Sequence, residues 1–286
     1  MTNDFFQLLG LTPIEEFDPK AEWQKVTPAS PMVIPVGTAE DGSTAALDMS
    51  RFRSLDDHFL IVGAPTAGAT TLLRTILTVL SIRRSVQDLA YMVMESEDRN
   101  EYADMMSFPN CIAQVRTARG AEASAHRVSQ WVLGEVEKRR AALAAARVAD
   151  IGDYQIKVRQ HADKDNANTE TPWLPELFLA IDNVTWLLNT EFDAVSRIIR
   201  QEGHALGIRL LLSTPYDTWN LLAGSGYFDG ITPRIAIGLT ANQSAAVFGA
   251  DVPHDLRPPG QAYLRTQQDK LVRFRIASVD EVYRVG

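Results

Sequence analysis

The run His58-Phe59-Leu60-Ile61-Val62, followed by Gly63-Ala64-Pro65-Thr66-Ala67-Gly68-Ala69-Thr70-Thr71 and then Leu72-Leu73, decides the fold. Its first part is a continuous apolar stretch that ends at a glycine, the pattern of a strand buried on both faces. Beyond the glycines, Leu72, Leu73, Ile76, Leu77, Val79 and Leu80 recur at helical spacing and predict a helix of about three turns. A strand, a glycine-bracketed loop and a helix in that order match G-x-x-x-x-G-K-[ST] at every defined position except the lysine, where Ala69 stands. Such a loop holds a phosphate because backbone N–H groups point inward, the helix presents its positive end, and the hydroxyl residue reaches Mg²⁺. Gly63, Gly68 and Thr70 keep those parts, with residues 63–71 as the candidate nucleotide loop. The charge that would touch the β- and γ-phosphates is gone.

Working outward, Leu89 to Met94 and Ile112 to Val115 read as further strands, and Ala123 to Arg147 as a long amphipathic helix. Residues 161–172, HADKDNANTETP, lack apolar periodicity and read as an exposed loop. The chain re-enters a core at Leu177 to Ile181, runs through a helix over Phe192 to Leu206, and returns in the strand Ile208 to Leu212. Closing strands are expected at Arg234 to Leu239, Ala262 to Leu264 and Val272 to Ala277. Strands alternating with helices describe an α/β fold with a central, mainly parallel sheet flanked by helices, the RecA-like, additional-strand form of the P-loop NTPase fold. Before it, Met32 to Gly37 and Ala45 to Met49 read as two strands joined by the turn Asp41-Gly42. Residues 1–31 are expected as a helical extension and 32–286 as the ATPase-like domain.

Asp182 closes an apolar strand, where a carboxylate can reach Mg²⁺ through water; Thr70 and Asp182 are therefore the candidate metal-side pair. The next residue is Asn183, in place of the carboxylate that activates water in hydrolytic relatives of this architecture. Ser213-Thr214-Pro215 ends the following strand, and Pro215 offers neither a side-chain donor nor an N–H at a position where a polar sensor is usual. Three catalytic positions, Ala69, Asn183 and Pro215, are empty together. With 28 basic against 36 acidic residues and no basic cluster, the chain has no phosphate-backbone footprint, which argues against DNA. No apolar run is long enough to span a bilayer, and a cytoplasmic location is expected. The lone Cys111 reads as a small buried residue of an apolar strand.

These residues resemble the FtsK/SpoIIIE-type ATPase domains of the type VII secretion protein called EccC in actinobacteria and EssC in firmicutes. Met32 to Gly37, Asp41-Gly42 and Leu47-Asp48 resemble the family's V-P-I-G, D-G and L-D, and His58 to Arg74 its H-x-L-V-V-G-x-x-x-S-G-K-[ST]-x-x-L-R-T. Gly207 to Leu212, Ser244 to Gly249 and Pro259 to Leu264 resemble later family segments. Departures include Glu95-Ser96-Glu97-Asp98-Arg99, where the family has a basic glycine-rich segment, and Ala245, where it has arginine.

The resemblance implies a degenerate copy, a pseudo-ATPase with weak ATP and Mg²⁺ binding at best. The resemblance further implies that it acts by docking on neighbouring EccC-type ATPase domains or on small helical secreted proteins with a C-terminal signal, at the inner face of the membrane with the anchor expected elsewhere. The rivals are a slow but active secretion ATPase, an FtsK-like DNA translocase and a structural spacer. Trp219, Leu221 and Leu222, just past a strand's carboxyl end, are the candidate partner contacts, with core packing of Trp219 as the competing reading.

Overall fold

Strands apolar on both faces need cover on both, and here two helical layers provide it. The computed structural model describes residues 4–11, 17–27, 30–50, 58–96, 99–117, 121–162, 172–257, 259–266 and 268–279. Two short helices, α1 (Asp4–Leu9) and α2 (Pro19–Gln24), precede the hairpin β1 (Val33–Ala39) and β2 (Thr44–Asp48). Then come β3 (Phe59–Gly63), α3 (Ala69–Arg83), β4 (Leu89–Ser96), β5 (Cys111–Thr117), α4 (Ala121–Ala146), α5 (Ile151–Ala162) and β6 (Glu176–Ile181). The chain closes with α6 (Phe192–Leu206), β7 (Ile208–Pro215), α7 (Tyr216–Leu222), β8 (Thr232–Ile237), α8 (Ala241–Phe248), β9 (Gln261–Arg265) and β10 (Leu271–Ile276).

Among the described residues one ten-stranded sheet forms, in the order β2-β1-β10-β9-β8-β3-β7-β6-β4-β5. From β8 to β5 all neighbours are parallel. The wing β9, β10, β1 and β2 is antiparallel. The P-loop strand β3 and the Asp182 strand β6 are separated by β7, the additional strand of this fold class.

Side chains alternate between the two faces as the pleat dictates. Phe59 and Ile61 of β3 and Tyr91 and Val93 of β4 join the core under α3, whereas Leu60, Val62, Met92 and Met94 join the core under α4 and α6. Helix α3 is buried along nearly its whole length, so it is a core helix rather than an amphipathic cover. On its outer side α1 and α2 pack down: Phe5 and Leu9 are buried, and the Trp23 indole donates to the Ser81 carbonyl at 3.1 Å. Buried cations fasten strand ends. Arg209 lies 3.2 Å from Glu176, donates to the Met49 carbonyl at 2.7 Å, and stacks over Phe178.

The expected strands and helices are found, some with longer bounds and others, such as β2 (Thr44–Asp48), β8 (Thr232–Ile237) and β10 (Leu271–Ile276), shifted by one or two residues. Helix α3 runs through 15 residues, and β7 continues to Pro215. Helix α5 lies where no element was expected and runs into the first two residues of the stretch 161–172, so His161 and Ala162 are helical rather than loop; residues 163–171 lie outside the described residues. The segment after β7, expected only as a post-strand crevice wall, is the helix α7. Cys111 is buried as expected, and burial pushes its thiol up to about 11.

Candidate functional site

The carboxyl ends of β3, β4, β6 and β7 open onto a cleft of about 530 Å³, the crevice position of open α/β sheets. Its floor is the loop from Gly63 to Gly68. Gly68 closes the loop at φ 112°, a left-handed conformation that a side chain resists. The loop is braced from behind. Ala64 N–H donates to the Ile237 carbonyl at 3.0 Å, and Gly260 N–H donates to the Ala67 carbonyl at 3.1 Å. Gly238, at φ 65°, lets β8 end directly beneath it, because a Cβ there would stand 2.3 Å from that of Ala67.

No side chain caps α3 at Gly68. The first-turn N–H groups of Ala69, Thr70 and Thr71 have no partner within the helix by geometry, and all three residues line the cleft. This is an anion cradle with the helix dipole behind it, and a phosphate fits it. Ala69 faces the same space with a methyl group in place of an ammonium.

Opposite the cradle sits Asp182, buried at the end of β6. Thr70 Oγ1 donates to its Oδ2 at 2.8 Å, and Ser213 Oγ donates to its Oδ1 at 2.8 Å. The sequence-derived pair Thr70 and Asp182 is thus brought together. Ser213 also accepts the Asn183 N–H at 2.8 Å, so the hydroxyl ties β7 to the turn after β6. Tyr102, fully buried, faces Asp182 without completing a hydrogen bond; burial, Asp182 and Glu95 hold its phenol well above the ordinary range.

Asn183 has φ 65° and caps a short 3₁₀ turn, Val184–Leu187. Its amide oxygen accepts from Thr185 N at 3.2 Å and from Thr185 Oγ1 at 2.6 Å. The residue is fixed as a turn former. Pro215 lines the cleft where β7 passes into α7, and pairs in register with Gly63.

The sequence shows Arg99 only as part of a departure from the family pattern and not as a site residue; it follows β4. Its Nη1 donates to Thr70 Oγ1 at 3.2 Å and lies 3.9 Å from Asp182 Oδ2. Arg74 of α3 also reaches the cleft, held by Asp104 in a bidentate pair at 2.7 and 2.8 Å. Thr70 Oγ1 therefore bonds both Asp182 and a guanidinium, so a positively charged side chain already stands at the lone pair that a divalent cation would use. No one-dimensional signal announces Arg99, because its distance from the motif in sequence vanishes only when β4 lies beside β6.

The candidate partner contacts do not form one exposed patch. Trp219 is buried in the core with its ring 5.8 Å from that of Tyr216, so the packing role holds and exposure of Trp219 does not. Leu221 is 79% exposed, and Leu222 is half-buried.

A glycine-bracketed loop between β3 and α3, an acidic residue at the end of β6 and a strand between β3 and β6 define a P-loop NTPase fold of the additional-strand class. The chain belongs to the FtsK/SpoIIIE family, whose model matches residues 19–245. It is 26% identical over 283 residues to the ESX-4 secretion system protein EccC4 of Mycobacterium tuberculosis, covering 96% of this chain and 22% of that protein. The cytoplasmic domain of the Thermomonospora curvata type VII secretion ATPase EccC shares the fold at a TM-score of 0.79 and 23% identity, over 96% of this chain and 32% of that one. Thermomonospora curvata EccC (ATPases 2 and 3), in complex with a signal sequence peptide, aligns at a TM-score of 0.63 and 18% identity, over 93% of this chain and 43% of that one. The chain thus spans about a fifth of the length of the curated EccC relative. Among the described residues no helix is long and apolar enough to cross a membrane.

Proposed function

We propose that this chain is a degenerate, non-hydrolysing ATPase domain of an EccC-like type VII secretion motor. It binds nucleotide weakly and works by contact with neighbouring ATPase domains of the same kind, or with helical signal segments of secreted proteins. The observation that supports this most directly is Asn183. The position beside Asp182 carries no carboxylate, and its amide oxygen is engaged by both the N–H and the hydroxyl of Thr185. Position 183 itself offers a water no carboxylate to take its proton.

Ala69 removes the second requirement, a cation acting on the transferred phosphoryl group. The cradle that remains contributes N–H groups and the helix dipole, enough to position a polyphosphate. Missing one charge-assisted contact of about 1.5–3 kcal/mol weakens affinity by roughly ten- to a hundredfold, leaving binding in the high-micromolar range at best. The signal sequence peptide bound to Thermomonospora curvata EccC is a ligand of that protein; here it motivates a signal segment as the partner class.

Phosphate release from ATP, measured on the purified chain with and without Mg²⁺, tests the proposal. The expected result is no turnover above background. Steady turnover on the order of 1 per second or faster, abolished by Gly68→Val, would overturn it and establish an active ATPase.

A further inference from the structure

We propose that Arg99 is the resident cation of the cleft and stands in place of the divalent metal, so that the cleft takes a nucleoside polyphosphate free of Mg²⁺. This rests on the reading of the cleft as a nucleotide site, and goes beyond it by naming the ionic form that binds. Thr70 and Asp182 are the oxygen donors that the motif reserves for Mg²⁺. Thr70 has a single hydroxyl proton, and it goes to Asp182 Oδ2 at 2.8 Å. A lone pair of the same hydroxyl receives Arg99 Nη1 at 3.2 Å, and the guanidinium lies 3.9 Å from that carboxylate oxygen. The other carboxylate oxygen is taken by Ser213 at 2.8 Å.

Mg²⁺ requires a near-octahedral oxygen site at about 2.0–2.1 Å. To take the Thr70 lone pair it would have to displace Arg99 Nη1 and then sit beside that positive charge. The guanidinium bonds the Thr70 oxygen at 3.2 Å and pairs with Asp182 at 3.9 Å. It has five N–H groups in a planar fork suited to phosphate oxygens, and the contact to Thr70 uses one of them. Its side chain is 49% exposed, on the loop after β4, with its head over the same space that the first turn of α3 lines. Arg74 does not compete for the role, because Asp104 holds it in a bidentate pair. The charge missing at position 69 is thus supplied from a different element, and on the metal's side of the cleft.

Calorimetric titration of ATP into the wild type and into Arg99→Ala, each in excess EDTA and in excess Mg²⁺, tests this. Because Arg99 is half exposed, thermal melting should show the variant folded. Wild type is expected to bind ATP at least as tightly in EDTA as in Mg²⁺. Arg99→Ala should lose about tenfold or more in EDTA and recover part of it in Mg²⁺, while Arg99→Lys keeps the indifference to metal. Binding by wild type that weakens tenfold in EDTA, with Arg99→Ala unchanged, overturns the proposal and leaves the nucleotide site standing. Binding that appears only in Arg99→Ala with Mg²⁺ makes Arg99 a plug, and also overturns it. No binding by any of the three proteins overturns both this proposal and the nucleotide reading.

Discussion

Replacing Ala69 by lysine returns to the loop the charge it lacks, and the structure sets how much this should achieve. Ala69 is the first residue of α3 and lines the cleft, so an ammonium there meets phosphates held by the N–H groups of its own helical turn. A charge-assisted contact of about 1.5–3 kcal/mol would tighten binding roughly ten- to a hundredfold. The new cation shares the cleft with Arg99, half exposed beside Thr70. Repulsion between two partly solvated charges a few ångström apart is on the order of 1 kcal/mol, which cancels about fivefold of the gain. The single variant Ala69→Lys should therefore bind ATP roughly two- to twentyfold more tightly than wild type. In an Arg99→Ala background the same substitution should gain the full amount, giving a coupling of about 1 kcal/mol in the double-mutant cycle. Calorimetry on the four proteins measures it. Hydrolysis should remain absent in all of them, since Asn183 is unchanged. An unaltered affinity in a folded Ala69→Lys protein would refute the phosphate cradle, and strictly additive effects would refute the shared cleft.

Gly238→Ala should destabilise the protein by at least about 2 kcal/mol, because a left-handed residue gains a Cβ driven into Ala67; urea unfolding measures the loss, and nucleotide affinity should fall with it. Arg209→Ala removes from buried Glu176 the guanidinium 3.2 Å away and should cost about 3–5 kcal/mol, whereas Arg209→Ala combined with Glu176→Gln should cost clearly less. The Cys111 thiol, raised to about 11, holds its proton in the folded state. At pH 8 native alkylation should run roughly a hundredfold below the rate in denaturant. Since the folded value lies above the unfolded one, this group's contribution to stability is present at neutral pH and fades as pH climbs towards 11.

Much of the parallel half of the sheet is legible in the sequence, because strands buried on both faces write themselves as uninterrupted apolar runs such as Leu177 to Ile181. Helix α5 is not, since Ile151, Tyr154 and Val158 are spaced among charges and carry a weak stripe. The loop, Thr70 and Asp182 are legible from spacing alone, and the structure brings them together. Arg99 and Ser213 are not, because their roles come from the sideways order of strands. Ser213 matters through the neighbouring strand β6, and Arg99 through the closeness of β4 to β6. Trp219 illustrates the opposite difficulty: a tryptophan after a strand end reads equally as anchor or as filler, and only the packing of α7 on β7 decides for filler.

The bracing of the phosphate loop implies an order of assembly. Ala67 is held by Gly260, Gly68 lies under Ile276, and Ile276 pairs with Gly37 near the start of the sheet. Contacts so distant along the chain cannot form until β9 and β10 have been made. During synthesis the loop emerges long before the strands that shape it, so for that interval the motif exists as sequence without geometry. A chain halted before β9 would carry every residue of the loop and bind no phosphate with it.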